Sequence, residues 1–337
     1  MSDQLRVESI RGDLVESVHQ VSVAVVDHAG RLVASAGEPE QVTFWRSAAK
    51  PFQAVAVVAD GAADRFGFDS RELALTCASH SSETAHIQVT ESMLRKVGLG
   101  EQALACGPHP PLSTQVYEHA LRHGLSITPR WSNCSGKHVG MLALALTHGW
   151  PVDGYERASH PVQQRLLVEI ERWTDVPADR MRFGVDGCTV VCFGLPLRSM
   201  ALAYARFAAS AEPPMVRLRN AMAAHPHLIA GNGRICTDLN EATSGAIIAK
   251  VGADGIHCAA IPAAGLGVAV KVADGDMRSS GPALLAVLRQ LADHRFVTLD
   301  FDRAPANLVR HIELPTINTR SAVTGSLRAR GALQFSV

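Results

Sequence analysis

The stretch from Ser244 to Val272 limits the possible folds more than any other part of this chain. Ser244 to Lys250 is a run of small and apolar residues, and Val251-Gly252-Ala253-Asp254-Gly255 reads as a turn. Ile256 to Ile261 runs back, Pro262 to Leu266 turns again, and Gly267 to Val272 returns a third time. Connections of about five residues are too short for a parallel crossover, so these strands must be antiparallel neighbours. Such a meander needs an apolar cover, and the periodicity near 281–293 predicts a helix that supplies it.

Near the other end, Val21 to Asp27 is rich in β-formers, His28-Ala29-Gly30 turns, and Arg31 to Ser35 returns as a hairpin. Helical patterns follow near 48–60, 83–97, 113–123, 136–148 and 159–173, the last with Pro161 in its first turn. Met181 to Val185 reads as a strand, and helices are predicted near 197–209 and 213–224. The expectation is an α+β fold, an antiparallel sheet flanked by helices, in a single domain spanning 1–337. A helical middle section of about 70–225 is inserted between the N-terminal hairpin and the C-terminal strands. Beyond about residue 312 the pattern weakens, and Asn318 to Val337 reads as an edge strand or a partner-binding segment.

Composition removes several function classes. Apolar residues are 47% of the 337, enough for a large core. Lys+Arg and Asp+Glu are equal at 32 each, so no basic excess points to nucleic acid or an anionic membrane. Met1-Ser2-Asp3-Gln4-Leu5-Arg6 has no apolar leader, and no run approaches the roughly 20 apolar residues of a membrane span. The expected location is cytoplasmic. The seven cysteines are an odd number without a C-x-x-C pair, which argues against a disulfide framework or a zinc ribbon. Most are expected to serve as small core hydrophobes.

The chemistry-bearing residues fall in clusters. Ser47-Ala48-Ala49-Lys50, followed by Pro51, places a serine and a lysine three residues apart at the head of an apolar helix. A neutral lysine amine can take the serine proton and free an alkoxide to attack a carbonyl, as in the S-x-x-K arrangement of penicillin-binding proteins and serine β-lactamases. The bland alternative is an N-cap serine beside a solvated lysine. Cys77-Ala78-Ser79-His80-Ser81-Ser82-Glu83 precedes a helix, where Ser81 or Ser82 as a cap would account for one serine of three. In Asn133-Cys134-Ser135-Gly136-Lys137-His138, Cys134 and Lys137 share a helix face, and Gly136 implies close approach to the backbone. Asp186-Gly187-Cys188 is a turn after the strand near 181–185. For both cysteines, burial without function is the competing reading. Lys250-Val251-Gly252 resembles the K-T-G strand motif, and it follows S-x-x-K and the serine loops in the same chain order. From the residues alone the reading is a serine acyl-transferring hydrolase with a lysine base.

Taken together, Phe44 to Gln53, Cys77 to Ser81, Cys106-Gly107-Pro108-His109-Pro110, Asn133 to His138, Asp186 to Cys188, Gly233 to Asp238 and Lys250 to Gly252 resemble the inducible rhizobial-type L-asparaginases. The resemblance runs from residue 44 to about 275. It implies a fold like that of serine β-lactamases and penicillin-binding proteins, a homodimer, and hydrolysis of L-asparagine to L-aspartate and ammonia. Two catalytic Ser-Lys tandems carry over onto Ser47 with Lys50 and onto Ser79 with Lys250. A Zn2+ site carries over onto Cys134, Lys137 and Cys188, completed by water, one zinc per chain. Arg46, His80, Asn133, His138 and Asp186 match the substrate-binding surroundings. Ser82 and Thr84 depart from an expected glycine and proline, and Thr189-Val190-Val191 after Cys188 is also atypical.

A lysine base has to fall from about 10.4 to roughly 7–8, through burial and a neighbouring cation. Two thiolates weaken zinc as a Lewis acid, so the metal is expected to be structural or substrate-orienting. The competing functions are a glutaminase, a D-peptidase or another amide or β-lactam hydrolase on the same fold, and a non-catalytic zinc-stabilised amino-acid-binding protein. Retention of Ser47, Lys50, Ser79 and Lys250 together favours the enzyme.

Overall fold

The structure, a computed structural model, describes residues 4–336. Met1, Ser2 and Asp3, part of the stretch read for a leader, and Val337 at the end of the tail lie outside the described residues. In chain order the strands are β1 (Arg6–Arg11), β2 (Leu14–Asp27), β3 (Leu32–Ala36), β4 (Val42–Phe44), β5 (Arg182–Val185), β6 (Val191–Pro196), β7 (Ile248–Val251), β8 (Ile256–Ile261), β9 (Leu266–Val272), β10 (Glu313–Ile317), β11 (Val323–Arg330) and β12 (Gln334–Phe335). The helices are α1 (Lys50–Ala59), α2 (Ala62–Arg65), α3 (Ser70–Thr76), α4 (Thr84–Val97), α5 (Thr114–Arg122), α6 (Ser135–His148), α7 (Pro161–Thr174), α8 (Leu197–Ala209), α9 (Pro213–Ala224), α10 (Pro226–Ile229), α11 (Ile235–Ala242), α12 (Met277–Asp293) and α13 (Ala306–Val309). The class is α+β with an antiparallel sheet and flanking helices, as the patterning predicts. No helix among the described residues is long and apolar enough to cross a membrane.

Two compact units divide the chain. One comprises Met1–Ala48, Leu195–Ala209 and Asp238–Val337; the other comprises Ala49–Gly194 and Ser210–Thr237. The first is a sheet unit. Its strands run in the order β10-β11-β1-β2-β9-β8-β7, with β3 also on β2 and β12 on β3. The predicted hairpin is present as β2 and β3, with Val25 opposite Ala34. β2 is longer than expected: its first half pairs with β1 and its second half with β3 and β9. The meander is β7, β8 and β9, with Lys250 opposite Cys258 and Cys258 opposite Ala269. Its first strand begins only at Ile248, because Ser244 and Gly245 take left-handed backbone angles incompatible with a strand. α8 packs on β2, β8 and β9. Gly267 on β9 has no alternative there, since a Cβ would collide with the Ala201 carbonyl of α8. α12 starts at Met277, earlier than read, because Asp276 caps it by accepting from the Arg278 and Ser279 amides. It packs against β8, β9 and β11, the cover that the meander required. The tail is not an edge strand alone: β10 is the edge, and β11 is inserted between β10 and β1.

The second unit is helical. α1 lies among α6, α7 and α9, and every residue from Lys50 to Val58 is buried. α6 is buried from Ser135 to Ala145 and contacts α1, α3 and α4. Helices apolar on all sides belong in a core, yet both begin with polar residues: Lys50 in α1, and Lys137 and His138 in α6. β5 and β6 pair as a hairpin, Phe183 opposite Phe193, and the turn between them carries Asp186 to Cys188. None of the seven cysteines is in a disulfide, and all are buried.

Candidate active site

Within the helical unit the polar starts of α1 and α6 meet the loop after α3. Lys50 is 1% exposed. Its Nζ donates to the Ala78 carbonyl and lies 2.9 Å from Ser79 Oγ. Every residue of the serine loop is tied down. The Ser79 amide donates to the Ile229 carbonyl (2.9 Å), Arg234 donates to the Ser79 carbonyl and to Ser81 Oγ, and the His80 amide reaches the Asn133 carbonyl. A serine hydroxyl fixed against a buried amine is the geometry that proton transfer from hydroxyl to amine requires. The resemblance assigns Ser79 to Lys250; in this unit the lysine on Ser79 is Lys50.

His80 is wholly buried. Its Nδ1 accepts the Ser82 amide, so the ring proton sits on Nε2 and is donated to Ser135 Oγ at 2.9 Å. Ser135 passes its own proton to Thr90 Oγ1 (3.0 Å), because the Thr90 hydroxyl donates to the His86 carbonyl. Burial, then His86 and Lys50, push His80 well below the usual histidine range. His86 stacks on His80 at 5.0 Å between ring centres, and burial lowers it to about 4. Glu83, His86 and His227 bring three potential metal-ligand atoms within 4.8 Å of one another. His86 has no lone pair to give: Nδ1 accepts the Glu83 amide, and Nε2 donates to the His227 carbonyl. The group is a capping arrangement rather than a metal site.

Cys134 is the N-cap of α6, Lys137 lies in its first turn, and Cys188 comes from the β5–β6 turn. Lys137 Nζ is 2.9 Å from Cys188 Sγ, and Cys134 Sγ is 3.0 Å from Asn133 Oδ1. Cys134 is held well below the usual thiol range by a hydrogen bond from Cys188, against burial, with help from Lys50 and Lys137. The helix N-terminus favours the same thiolate. Cys188 is pushed up, first by the proton it shares with Cys134 and then by burial. Burial opposes the charge on Lys137, but the Cys188 and Cys134 sulfurs, then Asp186, outweigh it and raise its pKa. Cys188, bonded to both Lys137 and Cys134, joins two sulfurs and a lysine into a donor set that suits a soft, borderline cation such as Zn2+ once their protons are lost. His109 orders the neighbouring loop: its Nε2 accepts the Asn133 amide at 2.9 Å. Asp186 caps its own turn by accepting the Gly187 amide, 3.8 Å from Cys188 Sγ.

The remaining expected residues belong to the sheet unit. Ser47 is half-buried on the single turn Arg46–Ala49 just before α1. Arg46 has a left-handed backbone and pairs with Asp254. Lys250 lies on β7, fully buried, and donates to the Val251 carbonyl at 2.7 Å. His138, by contrast, sits in the helical unit, its Nδ1 2.6 Å from Tyr155 Oη.

Three local expectations find their physical reason here. The cap of α4 is Glu83 and neither serine. Ser82 takes a left-handed φ of 60°, the conformation a glycine supplies freely, and its Oγ donates to the Trp131 carbonyl. Thr84 is the first residue of α4, where proline is favoured. The two departures from the resemblance are therefore backbone substitutions outside the reacting groups. Gly136 is needed because a Cβ there would strike the Leu75 carbonyl of α3, so the close approach is helix packing and not a ligand.

The sequence matches the L-asparaginase II family over residues 7–329. The chain belongs to the L-asparaginase II family. That membership makes it an amidohydrolase with a small-molecule substrate. No curated protein sequence matches the chain. Among solved structures, one titled as a crystal structure of Mglu is 17% identical with a TM-score of 0.38, covering 83% of this chain and 68% of that one. Other Mglu structures are spanned over as little as 60% of their length. A β-lactamase (Mb2281c) from Mycobacterium bovis is 14% identical with a TM-score of 0.36, covering 81% and 93%. A putative β-lactamase from Bacteroides dorei is 12% identical with a TM-score of 0.35, covering 80% and 85%.

Proposed function

We propose that this protein hydrolyses L-asparagine to L-aspartate and ammonia through a Ser-Lys nucleophile beside a zinc site. The observation that carries the reading is the buried contact of Lys50 Nζ with Ser79 Oγ at 2.9 Å. In the first step the neutral amine takes the hydroxyl proton and Oγ bonds to the side-chain amide carbon. The C–N bond then breaks, the nitrogen takes that proton, and ammonia leaves an acyl ester. Water, deprotonated by the same amine, cleaves the ester to L-aspartate and restores the serine. Ser47 and Lys250 complete the two tandems that the family resemblance implies.

Cys134, Lys137 and Cys188 would hold Zn2+, and Lys137 must lose its proton to do so. Bound there, the metal would supply structural support and a positive centre that orients the substrate. A homodimer in the cytoplasm belongs to the same proposal; seven buried cysteines outside any disulfide suit a reducing compartment. The test is ammonia release from asparagine and glutamine side by side, with and without added zinc. Turnover of asparagine over glutamine is the expected result, and faster release from glutamine would replace the substrate named here.

A further inference from the structure

We propose that the cavity between α12 and β11 in the sheet unit binds a small organic oxyanion, a carboxylate or phosphate ester on an apolar body, through Arg289, Arg328 and Arg330. None of its residues belongs to the Ser79 cluster, so the proposal stands apart from the reaction assigned above.

The cavity has a volume of about 260 Å³, and its lining comes from α12, β10, β11 and the segment between α12 and β10. Its charged lining is three guanidiniums against one carboxylate, Glu313. This local excess arises in a chain whose basic and acidic residues are equal in number, at 32 each. A concave wall carrying one sign of charge over apolar surface concentrates ions of the other sign.

Arg328 decides the reading. It is half-buried, its Nε is shielded from water, and its guanidinium has no hydrogen bond or ion pair among the described residues. Every other arginine among the described residues is either exposed or bonded to a partner. Buried donors without partners are few in native folds, and each calls for an explanation. A shortage of acids is not the explanation. Glu8 on β1 and Glu313 on β10 both lie directly opposite Arg328 in the sheet, where opposite charges ordinarily pair. Glu8 is taken by Arg6 at 2.8 Å, and Glu313 accepts the Ser326 hydroxyl. The fork of Arg328 is left for an acceptor from outside the chain. The two exposed arginines are uncompensated as well. Arg289 stands 5.1 Å from the centre of the Phe301 ring, which orients its charge without neutralising it. Arg330 lies opposite another cation, Arg6.

The class of ligand follows from these groups. A guanidinium fork matches two oxygens of a carboxylate or a phosphate. Phe301, Leu285 and Ile312 line the same cavity and suit an apolar body. At the roughly 30 Å³ that a water molecule occupies, the space admits about nine non-hydrogen atoms. Benzoate is of that size.

The test is titration calorimetry on the full-length protein with benzoate, phenyl phosphate, inorganic phosphate and the neutral isostere benzamide. About one benzoate should bind per chain, with benzamide at least about tenfold weaker. Arg328→Gln should weaken benzoate by about ten- to a hundredfold, the loss of a charge-assisted contact. Arg328→Lys keeps the charge without the fork and should fall between. Arg289→Gln should weaken benzoate by a smaller factor. Benzoate tighter than phenyl phosphate assigns a carboxylate, and the reverse assigns a phosphate ester. Equal binding of benzoate and benzamide overturns the proposal. So does a benzoate affinity unchanged in Arg328→Gln, or no saturable binding at millimolar benzoate and phenyl phosphate. Inorganic phosphate bound as tightly as phenyl phosphate would overturn the apolar part of the site. If Arg328→Gln fails to fold, Arg328→Lys and Arg289→Gln decide by the same comparison.

Discussion

Asp238 in the sheet unit and Lys50 in the helical unit are both almost wholly buried, but they are satisfied in opposite ways. Asp238 meets the Arg310 guanidinium and the His311 ring, at 2.6 Å each. His19 of the same unit likewise faces Asp274 at 2.7 Å. Lys50 meets a carbonyl and a hydroxyl and has no carboxylate within ion-pair distance among the described residues. Around it stand imidazoles whose protonation burial opposes, hydroxyls, and the Cys134 sulfur, whose charged form it favours. Charge pairs of the first kind hold a chain segment in place and little else. A buried amine without a counter-carboxylate, aimed at a hydroxyl, is poorly arranged for stability and well arranged for chemistry. The comparison teaches that burial alone does not separate a holding group from a candidate reacting one: the helical unit has holding pairs too, such as Lys96 with Glu72, and the partner makes the difference.

The largest effect should come from dividing Lys50 from Ser79. Ser79→Ala and Lys50→Ala should each lower kcat/KM by about a thousandfold or more, and the double variant should be little worse than either. Steady-state assays of the three proteins decide it. Losses that multiply would mean two independent groups and would break the contrast drawn with Asp238. Ser47→Ala and Lys250→Ala face the same test.

Next in size is the metal cluster. Purified protein should carry about one zinc per chain by elemental analysis, and Cys134→Ser or Cys188→Ser should lose it. The loss leaves Lys137 buried with a poorer partner, a defect of a few kcal/mol. At about 2–4 °C per kcal/mol, the midpoint of thermal unfolding should fall by roughly 5–10 °C. Full zinc retention in both variants would sink the assignment.

The smallest effect is acid sensitivity, and it separates the two units. His86 takes up its proton near 4 in the folded protein and near 6.5 when unfolded. Between these values the unfolded chain binds more protons, so stability is complete above about pH 6.5 and declines as pH falls toward 4. The shift corresponds to about 3 kcal/mol. His80 and His138 are lowered in the same direction and add to the same window. Asp238 works in a different range. Burial opposes its charge, but bonds from His311 and Arg310 prevail and lower its pKa. Its contribution is present above the ordinary carboxylate pKa and lost only below it. Urea unfolding at pH 7 and pH 4.5 should show the wild-type loss, reduced in His86→Gln; an equal loss in both would remove the imidazoles as its cause.

Much of the architecture was legible because it is local. The β2–β3 hairpin, the β7–β9 meander and helices α4 to α9 announce themselves through turn residues and periodicity within single windows. β1, β11 and the first half of β2 did not, because a strand paired at the far end of the chain carries no local sign of its partner. Arg6 opposite Arg330 is such a pairing. The site divides in the same way. Ser79, Lys50, Cys134, Lys137 and Cys188 stood out by residue type and spacing. Tyr155 lies in no motif, and Ser135 and Thr90 look like ordinary helix residues until His80 is placed beside them.

By itself, then, the sequence determined the hairpin, the meander, helices α4 to α9, the antiparallel class and the candidate reactive groups, since propensity, turn chemistry and residue type act over a few residues. Tertiary structure decided that Lys50 reaches Ser79, that Tyr155 sits on His138, and where the tail enters the sheet. Each of these depends on the direction of a hydrogen bond between residues far apart in the chain: 29 positions for Lys50 and Ser79, 17 for His138 and Tyr155. A hydrogen bond is defined by distance and angle in space, and no residue pattern along the chain encodes either.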